Sequence, residues 1–238
     1  ENERRTTALV SGTTVANMDC IERSYDGNNP PQIYGDCGRT TEEMAALVGD
    51  FAFLSTCSTA CSSAANAFIL GANLIRSGEY ERVVVGGSEC LSRFHFNGFR
   101  SLQILDSAPC RPFDATRAGL NLGEGAAFFV LEREDVALKR GIEPLALLSG
   151  WGNTADAFHQ TASSENGEGA YLAMQKALSM SGLTPQQIDY VNAHGTGTLN
   201  NDASESAALR RVFGERIPPV SSTKSMTGHT TSVAGAVE

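Results

Sequence analysis

Four residues of reactive type stand apart in separate turns rich in glycine, serine and threonine: Cys61, His194, Lys224 and His229. Cys61 lies in FAFLSTCSTACSSAANAF, residues 51–68, where an apolar strand runs into small polar residues and then into a helix read over 61–77. A thiol in the first turn of that helix faces free backbone N–H groups and the positive end of the dipole, which favour thiolate over thiol. The thiolate is the form that attacks a carbonyl carbon. Ala60, Ser62, Ser63, Ala64 and Ala65 are small and leave a substrate room to approach. A buried structural cysteine is the other reading of the same position. His194, in YVNAHGTGT, closes an apolar strand and is followed by Gly195 and Gly197, at a sheet edge of the kind where open α/β proteins bind ligands. A histidine merely satisfied by a backbone carbonyl is the alternative, and a dinucleotide loop is disfavoured because the third glycine is lacking. Lys224 is one of only three lysines and precedes His229 by five residues in VSSTKSMTGH. Metal ligation by this set is disfavoured, since the ligands occur singly and without paired spacing.

The elements that must carry these residues alternate. Strand-like runs fall at 7–14, 83–87, 126–132, 145–150, 190–194 and 219–222, with helical patterns at 40–49, 61–77, 134–140, 169–181 and 201–213. Thr184-Pro185 reads as an N-cap with proline in the first helical position. Residues 106–121, punctuated by Pro109, Pro112 and Gly119, form the longest irregular stretch. Strands alternating with helices, some strands apolar throughout, predict an α/β fold with a buried sheet.

Composition removes several function classes. The 238 residues carry 18 basic and 27 acidic side chains, a formal net charge of −9, with 41% hydrophobic residues. That is a globular composition, with enough chain for a sizeable core. The negative charge and the lack of a Lys/Arg cluster argue against nucleic acid, and no apolar run is long enough for a membrane helix. Six scattered cysteines include no C-x-x-C pair, and neither a signal peptide nor an N-x-S/T site is present. Reduced thiols in the cytoplasm are the expectation.

Taken together the segments resemble the β-ketoacyl-acyl-carrier-protein synthases, the elongating type II ketosynthases of the thiolase superfamily. The resemblance rests on Thr59-Ala60-Cys61-Ser62-Ser63, on Asn192-Ala193-His194-Gly195-Thr196-Gly197-Thr198 and on Lys224-Ser225-Met226-Thr227-Gly228-His229. Further agreement comes from Val85-Gly86-Gly87-Ser88-Glu89, Cys110-Arg111-Pro112-Phe113-Asp114, Gly123-Glu124-Gly125-Ala126, Asp156-Ala157-Phe158-His159 and Gly235-Ala236-Val237-Glu238. All occur in family order over nearly the whole chain. Two stretches depart from the pattern, Arg117-Ala118-Gly119-Leu120-Asn121 and Thr230-Thr231-Ser232-Val233, and they bear on acyl specificity.

The resemblance implies a thiolase-like layered α/β/α/β/α fold, incomplete at both termini. Residues 1–142 would be the latter part of the N-terminal half and 143–238 most of the C-terminal half. It implies a decarboxylative Claisen condensation of malonyl-carrier thioester with an acyl group held on Cys61, in fatty-acid or polyketide elongation. His194 and His229 would donate hydrogen bonds to the malonyl thioester carbonyl, with Lys224 orienting the site around His229. Thr196, Thr198 and Thr161 would line the pantetheine arm, and Glu238, Asp202 and Glu205 would support. His159 would lie near the carrier arm. His95 matches no motif and reads as incidental, and Asp114 and Arg117 as a structural pair. No metal or bound cofactor is implied, because the acyl carrier protein brings its own phosphopantetheine. The implied partners are that carrier protein and a second ketosynthase subunit, in a homodimer or heterodimer. The alternatives are a non-catalytic or partner-dependent heterodimer subunit, or another thiolase-fold acyltransferase.

Overall fold

The computed structural model describes residues 6–27 and 36–238, and these group into two compact units. The first unit takes the chain up to Ser101 together with Leu122–Ala146 and Thr230–Val237; the second takes Leu102–Asn121, Leu147–His229 and Glu238.

The first unit is built on a four-stranded sheet of β1 (Thr7–Gly12), β2 (Phe53–Cys57), β3 (Arg82–Glu89) and β4 (Gly125–Glu132), in the order β2-β1-β3-β4. β1 pairs in parallel with β2 and β3, with Val10 opposite Ser55 and Val85, and β4 returns antiparallel to β3. Ala8, Val10, Val83 and Val85 are wholly buried and pack with Ala67 and Ile75 of helix α3 (Ser63–Arg76). Burial of each such valine is worth about 1.5–3 kcal/mol. Gly12 ends β1 where the sheet meets this helix. A Cβ there would lie 2.6 Å from the backbone nitrogen of Ala64, so only glycine permits the approach. A 3₁₀ turn at Thr231–Val233 and the short helix Ala234–Val237 pack Val233 and Ala236 against Ala64.

Helix α3 begins later than its sequence pattern. Ser63 Oγ accepts a hydrogen bond from Thr59 N and donates one to Ala60 O, closing a local turn in which Ala60 has φ 54°. Such side-chain-to-backbone bonds compete with helix. Cys61 therefore sits just ahead of the helix rather than in its first turn. Helix α2 (Cys37–Val48) starts earlier than expected, because the Asp36 carboxylate caps it by accepting from Gly38 N. The helices α1 (Met18–Asp26) and α4 (Arg93–Ser101) escaped the sequence pattern. The first amides of α4, Arg93 N and Phe94 N, donate to the carboxylate of Glu22 on α1, a cap supplied from a distant part of the chain. Helix α5 (Glu134–Lys139) follows β4.

The second unit pairs β5 (Val191–Asn192) in parallel with β6 (Val220–Ser221), flanked by α6 (Glu168–Ser181) and α7 (Leu199–Phe213). Leu209, Val212 and Phe213 of α7 form its core with Met174 and Leu178 of α6. The expected proline-opened turn is present at Pro185–Gln187, and Thr184 and Gln187 make a reciprocal capping box. The strands expected over 190–194 and 219–222 shorten to two residues each, and the run at 145–150 forms no strand. Leu145, Leu147 and Leu148 are exposed and pair with no strand among the described residues. Apolar sequence alone makes no ladder without a partner. No helix among the described residues is long and apolar enough to cross a membrane.

Candidate active site

In the second unit the reactive residues converge on one buried lysine. Lys224 opens the short helix Lys224–Thr227 and is 1% exposed. Its ammonium forms an ion pair with Glu238 and lies 3.3 Å from His194 Nδ1. An ammonium has no lone pair, so Nδ1 accepts and the ring hydrogen resides on Nε2. The expectation that Lys224 orients the site around His229 is thus changed in detail: its direct contact is with His194. The two histidine rings meet edge-on, with centroids 5.1 Å apart and planes at 84°. Burial, then the Lys224 charge, lowers the His194 pKa to about 3. Burial, then His194 and Lys224, lowers that of His229 to about 2. At neutral pH both rings are uncharged, and each carries a single N–H donor rather than a spare positive charge. Two such donors stabilise negative charge that develops on a carbonyl oxygen.

The loop that bears His194 is fixed through its backbone. The Glu205 carboxylate on α7 accepts from His194 N at 2.8 Å and Gly195 N at 2.9 Å, and burial pushes its pKa up. Gly195 has φ 42°, and a Cβ there would fall 2.5 Å from Ser222 Cβ. Asp202 accepts from Gly197 N and from Phe113 N, tying the irregular stretch to the same loop. Both carboxylates thus accept backbone amides of the loop that carries His194. Arg117 pairs with Asp114 through the backbone, its Nη1 donating to Asp114 O at 2.9 Å, while its guanidinium lies 3.7 Å from the Asp202 carboxylate and the Asp114 carboxylate accepts from Thr116. Burial raises the Glu238 pKa against the opposing pull of Lys224. Asn192 Nδ2 donates to the backbone oxygen of Glu238.

Thr196 is buried, its hydroxyl 2.9 Å from that of Thr198, and its carbonyl accepts from Cys110 Sγ. Thr161 stays apart from this group. It is exposed, and its amide donates to His159 Nδ1 in a local turn. Asn121 was not singled out by its sequence, yet its carbonyl accepts from His229 N at 2.7 Å and its side chain bonds Cys110 N, Asp106 O and Ala108 O. The available signal was an asparagine in a stretch punctuated by proline and glycine, where side chains replace ladder partners.

In the first unit Cys61 follows the left-handed Ala60 and precedes Ser62, the N-cap residue of α3. It is partly accessible and not in a disulfide. Cys61 thus lies one residue ahead of the N-cap, outside the first helical turn where its sequence placed it.

Two family models match the chain. One described as the β-ketoacyl synthase N-terminal domain covers residues 7–137, and one described as the β-ketoacyl synthase C-terminal domain covers 145–238. The chain is 43% identical over 192 residues to the mitochondrial 3-oxoacyl-acyl-carrier-protein synthase of Arabidopsis thaliana, a match spanning 76% of this chain and 42% of that protein. Among solved structures, the ishigamide ketosynthase/chain length factor superposes with a TM-score of 0.90 at 32% identity, covering 98% of this chain and 60% of that one. A type II PKS acyl-carrier protein in complex with its ketosynthase bound to the hexaketide gives 0.89 at 26% identity, covering 99% and 64%. The thiolase-like α/β fold class stands on these likenesses. The chain spans about half the length of the curated relatives it matches.

Proposed function

This chain belongs to the β-ketoacyl synthase family, and from that premise we propose that the protein is a condensing acyltransferase acting on carrier-bound thioesters. The observation that carries the reading is the pair of uncharged histidines, His229 buried and His194 half-buried, the latter with its tautomer set by Lys224. The Cys61 thiolate attacks an acyl-carrier thioester, forming an acyl-cysteine and releasing the carrier thiol. A malonyl-carrier thioester then loses CO₂. The electron pair left behind becomes an enolate, whose oxygen takes hydrogen bonds from His194 and His229. The enolate carbon attacks the acyl-cysteine carbonyl, and expulsion of the Cys61 thiolate yields the β-ketoacyl-carrier product. The first residue lies in one unit and the other two in the second.

In this reading Thr196, Thr198 and Thr161 serve the pantetheine arm, and the phosphopantetheine arrives on an acyl carrier protein, so the enzyme holds no cofactor of its own. The two solved relatives, a ketosynthase/chain length factor and an acyl-carrier protein in complex with its ketosynthase, support a carrier protein and a second ketosynthase-type subunit as partners. The gap between the two family models, residues 138–144, supports a boundary between the halves at 142/143. Retention of Cys61, His194, Lys224 and His229 favours a catalytic subunit over an inactive partner. Six cysteines outside any disulfide fit a reducing compartment, the cytoplasm in this reading, and cell fractionation tests it against the mitochondrion named for the Arabidopsis relative.

The experiment is direct. Acyl- and malonyl-carrier thioesters are supplied to the protein, acylation of the Cys61 peptide is followed by mass spectrometry, and CO₂ release is measured. Acylation at Cys61 with CO₂ evolution is expected. A protein that does neither overturns the reading.

A further inference from the structure

The pair of histidines poses a positioning problem that the β5–β6 ladder solves for one member. Ala193 N donates to Ser221 O at 2.8 Å, so strand pairing extends to the residue before His194. His229 comes after the short helix Lys224–Thr227, beyond that ladder. Its amide donates at 2.7 Å to Asn121 O, in the irregular stretch 106–121. Asn121 is in turn held by its own side chain. Oδ1 accepts from Cys110 N at 2.7 Å, and Nδ2 donates to Asp106 O at 2.9 Å and to Ala108 O at 3.1 Å. One acceptor facing an amide and two donors facing carbonyls call for a side-chain amide, and asparagine offers it on a short stem.

The same stretch reaches the His194 loop through Cys110. Its Sγ donates to the carbonyl of Thr196 at 3.1 Å. Burial, then Asp202, raises the Cys110 pKa, so the thiol keeps the hydrogen it donates. Contact is close along the loop. A Cβ on Gly197 would fall 2.9 Å from Cys110 Sγ and 2.8 Å from Gly119 O, and one on Gly195 would fall 3.0 Å from Phe113 Cε2. Phe113 itself has φ 62°, a left-handed conformation unfavourable for so large a side chain. Strain of that kind persists only where surrounding contacts fix it. Here the fixing group is the Asp202 carboxylate, which accepts from Phe113 N at 2.7 Å and also holds Gly197 N.

The backbone of His229 is thus joined to that of Thr196 through two residues, Asn121 and Cys110. Resting on the condensing function proposed above, we propose that Asn121 and Cys110 are positioning residues for the enolate step, setting His229 at the distance from His194 at which both rings donate to one oxygen. The edge-on contact of the rings, 5.1 Å between centroids, leaves little slack. Donors that must converge on one atom lose effect steeply with displacement, and a shift of about 1 Å costs up to about 10²-fold in rate. Cys110 is 4% exposed, so its thiol serves as a tie and not as a nucleophile. Asn121 closes one of the two stretches that depart from the family pattern, so the tie is read from this chain's own contacts and not from the resemblance.

The test reads the two half-reactions separately. Asn121→Ala and Cys110→Ala are each expected to slow CO₂ release from malonyl thioester about tenfold or more. Acylation of Cys61, which uses neither histidine, should change far less. Cys110→Ser keeps a donor and should recover part of the loss. In a His229→Ala background the same alanine substitutions should alter CO₂ release by no more than about twofold, because the group they position is gone. Losses that multiply with that of His229→Ala overturn the proposal, and so does a parallel fall in acylation, the mark of a purely structural role. Unaltered CO₂ release in folded Asn121→Ala and Cys110→Ala proteins overturns it as well. If Asn121→Ala does not fold, Cys110→Ala and Cys110→Ser, with and without His229→Ala, decide alone. Each of these failures leaves the condensing function standing; no CO₂ release by the unaltered protein removes that function and the positioning role together.

Discussion

The ammonium of Lys224 reaches Nδ1 of His194 across 3.3 Å while holding Glu238 in an ion pair. One buried cation thus does two things: it directs the His194 hydrogen to Nε2, and it compensates a carboxylate whose pKa burial pushes up. Neither role is available to a neutral side chain of the same size.

Replacing Lys224 should therefore be costly twice over. Lys224→Met leaves Glu238 buried without its cation, and loss of one partner from a buried pair costs about 3–5 kcal/mol. Adding Glu238→Gln should return much of that stability while leaving condensation impaired, because the His194 tautomer is still unset. Denaturant melts of the single and double variants, beside CO₂ release from malonyl thioester, check both halves. Recovery of activity along with stability would show that Lys224 serves packing alone.

The histidines should separate from the cysteine in their kinetics. His194→Ala and His229→Ala are each expected to slow malonyl decarboxylation about 10²–10³-fold, the scale for loss of an oxyanion donor. Acylation of Cys61 should change far less, since no enolate forms in that step. Mass spectrometry of the Cys61 peptide alongside CO₂ release reads the two steps independently. Equal losses in both would assign the histidines to general structure.

Much of this arrangement was legible in sequence, and the illegible parts have a common cause. The apolar strand at 83–87 formed because Val83 and Val85 face a buried layer, the one at 126–132 pairs with it along its length, and glycines mark the sharp turn beside His194 whatever surrounds it. Helix α4 was hidden because Gly98 and its aromatic residues give a poor local pattern, and its cap, Glu22, is supplied from another helix. The run at 145–150 misled in the opposite way: it has strand composition but pairs with no strand among the described residues. Cys61 fell outside its helix because Ser63 spends its hydroxyl on the preceding turn. Local chemistry was readable; contacts made across long stretches of chain were not.

The junction of β1 with α3 offers a purely steric prediction. Gly12→Ala would place a methyl group 2.6 Å from Ala64 N and 2.7 Å from Ser63 C, both backbone atoms that cannot step aside. Helix α3 must shift away from the sheet, at about 1–3 kcal/mol. Because Cys61 lies at the start of that helix, its alkylation rate by iodoacetamide should change as well. Gly98→Ala, with nothing within 4 Å of the added group, is the control and should leave both stability and alkylation close to those of the unaltered protein.

Stability should fall on mild acidification, and the sign follows from the histidines. In the unfolded chain each titrates near 6.5, whereas the folded protein holds His194 neutral to about pH 3 and His229 to about pH 2. Below pH 6.5 the unfolded state therefore binds more protons, and each histidine removes up to about 1.4 kcal/mol of stability per pH unit. The full stability is present above 6.5 and is lost progressively as pH falls toward those folded values. Glu205 and Glu238 act in the opposite sense. Their folded pKa values are raised, so their protonation favours the folded state as pH falls, and this part offsets the loss. Comparison with His229→Gln isolates the histidine contribution, because both carboxyls remain. The variant's unfolding free energy should decline less steeply between pH 6.5 and about pH 5 than that of the unaltered protein. Parallel profiles would mean that His229 is free to take up a proton in the folded protein, and a charged imidazole there would not match the pair of neutral donors on which the proposed enolate stabilisation depends.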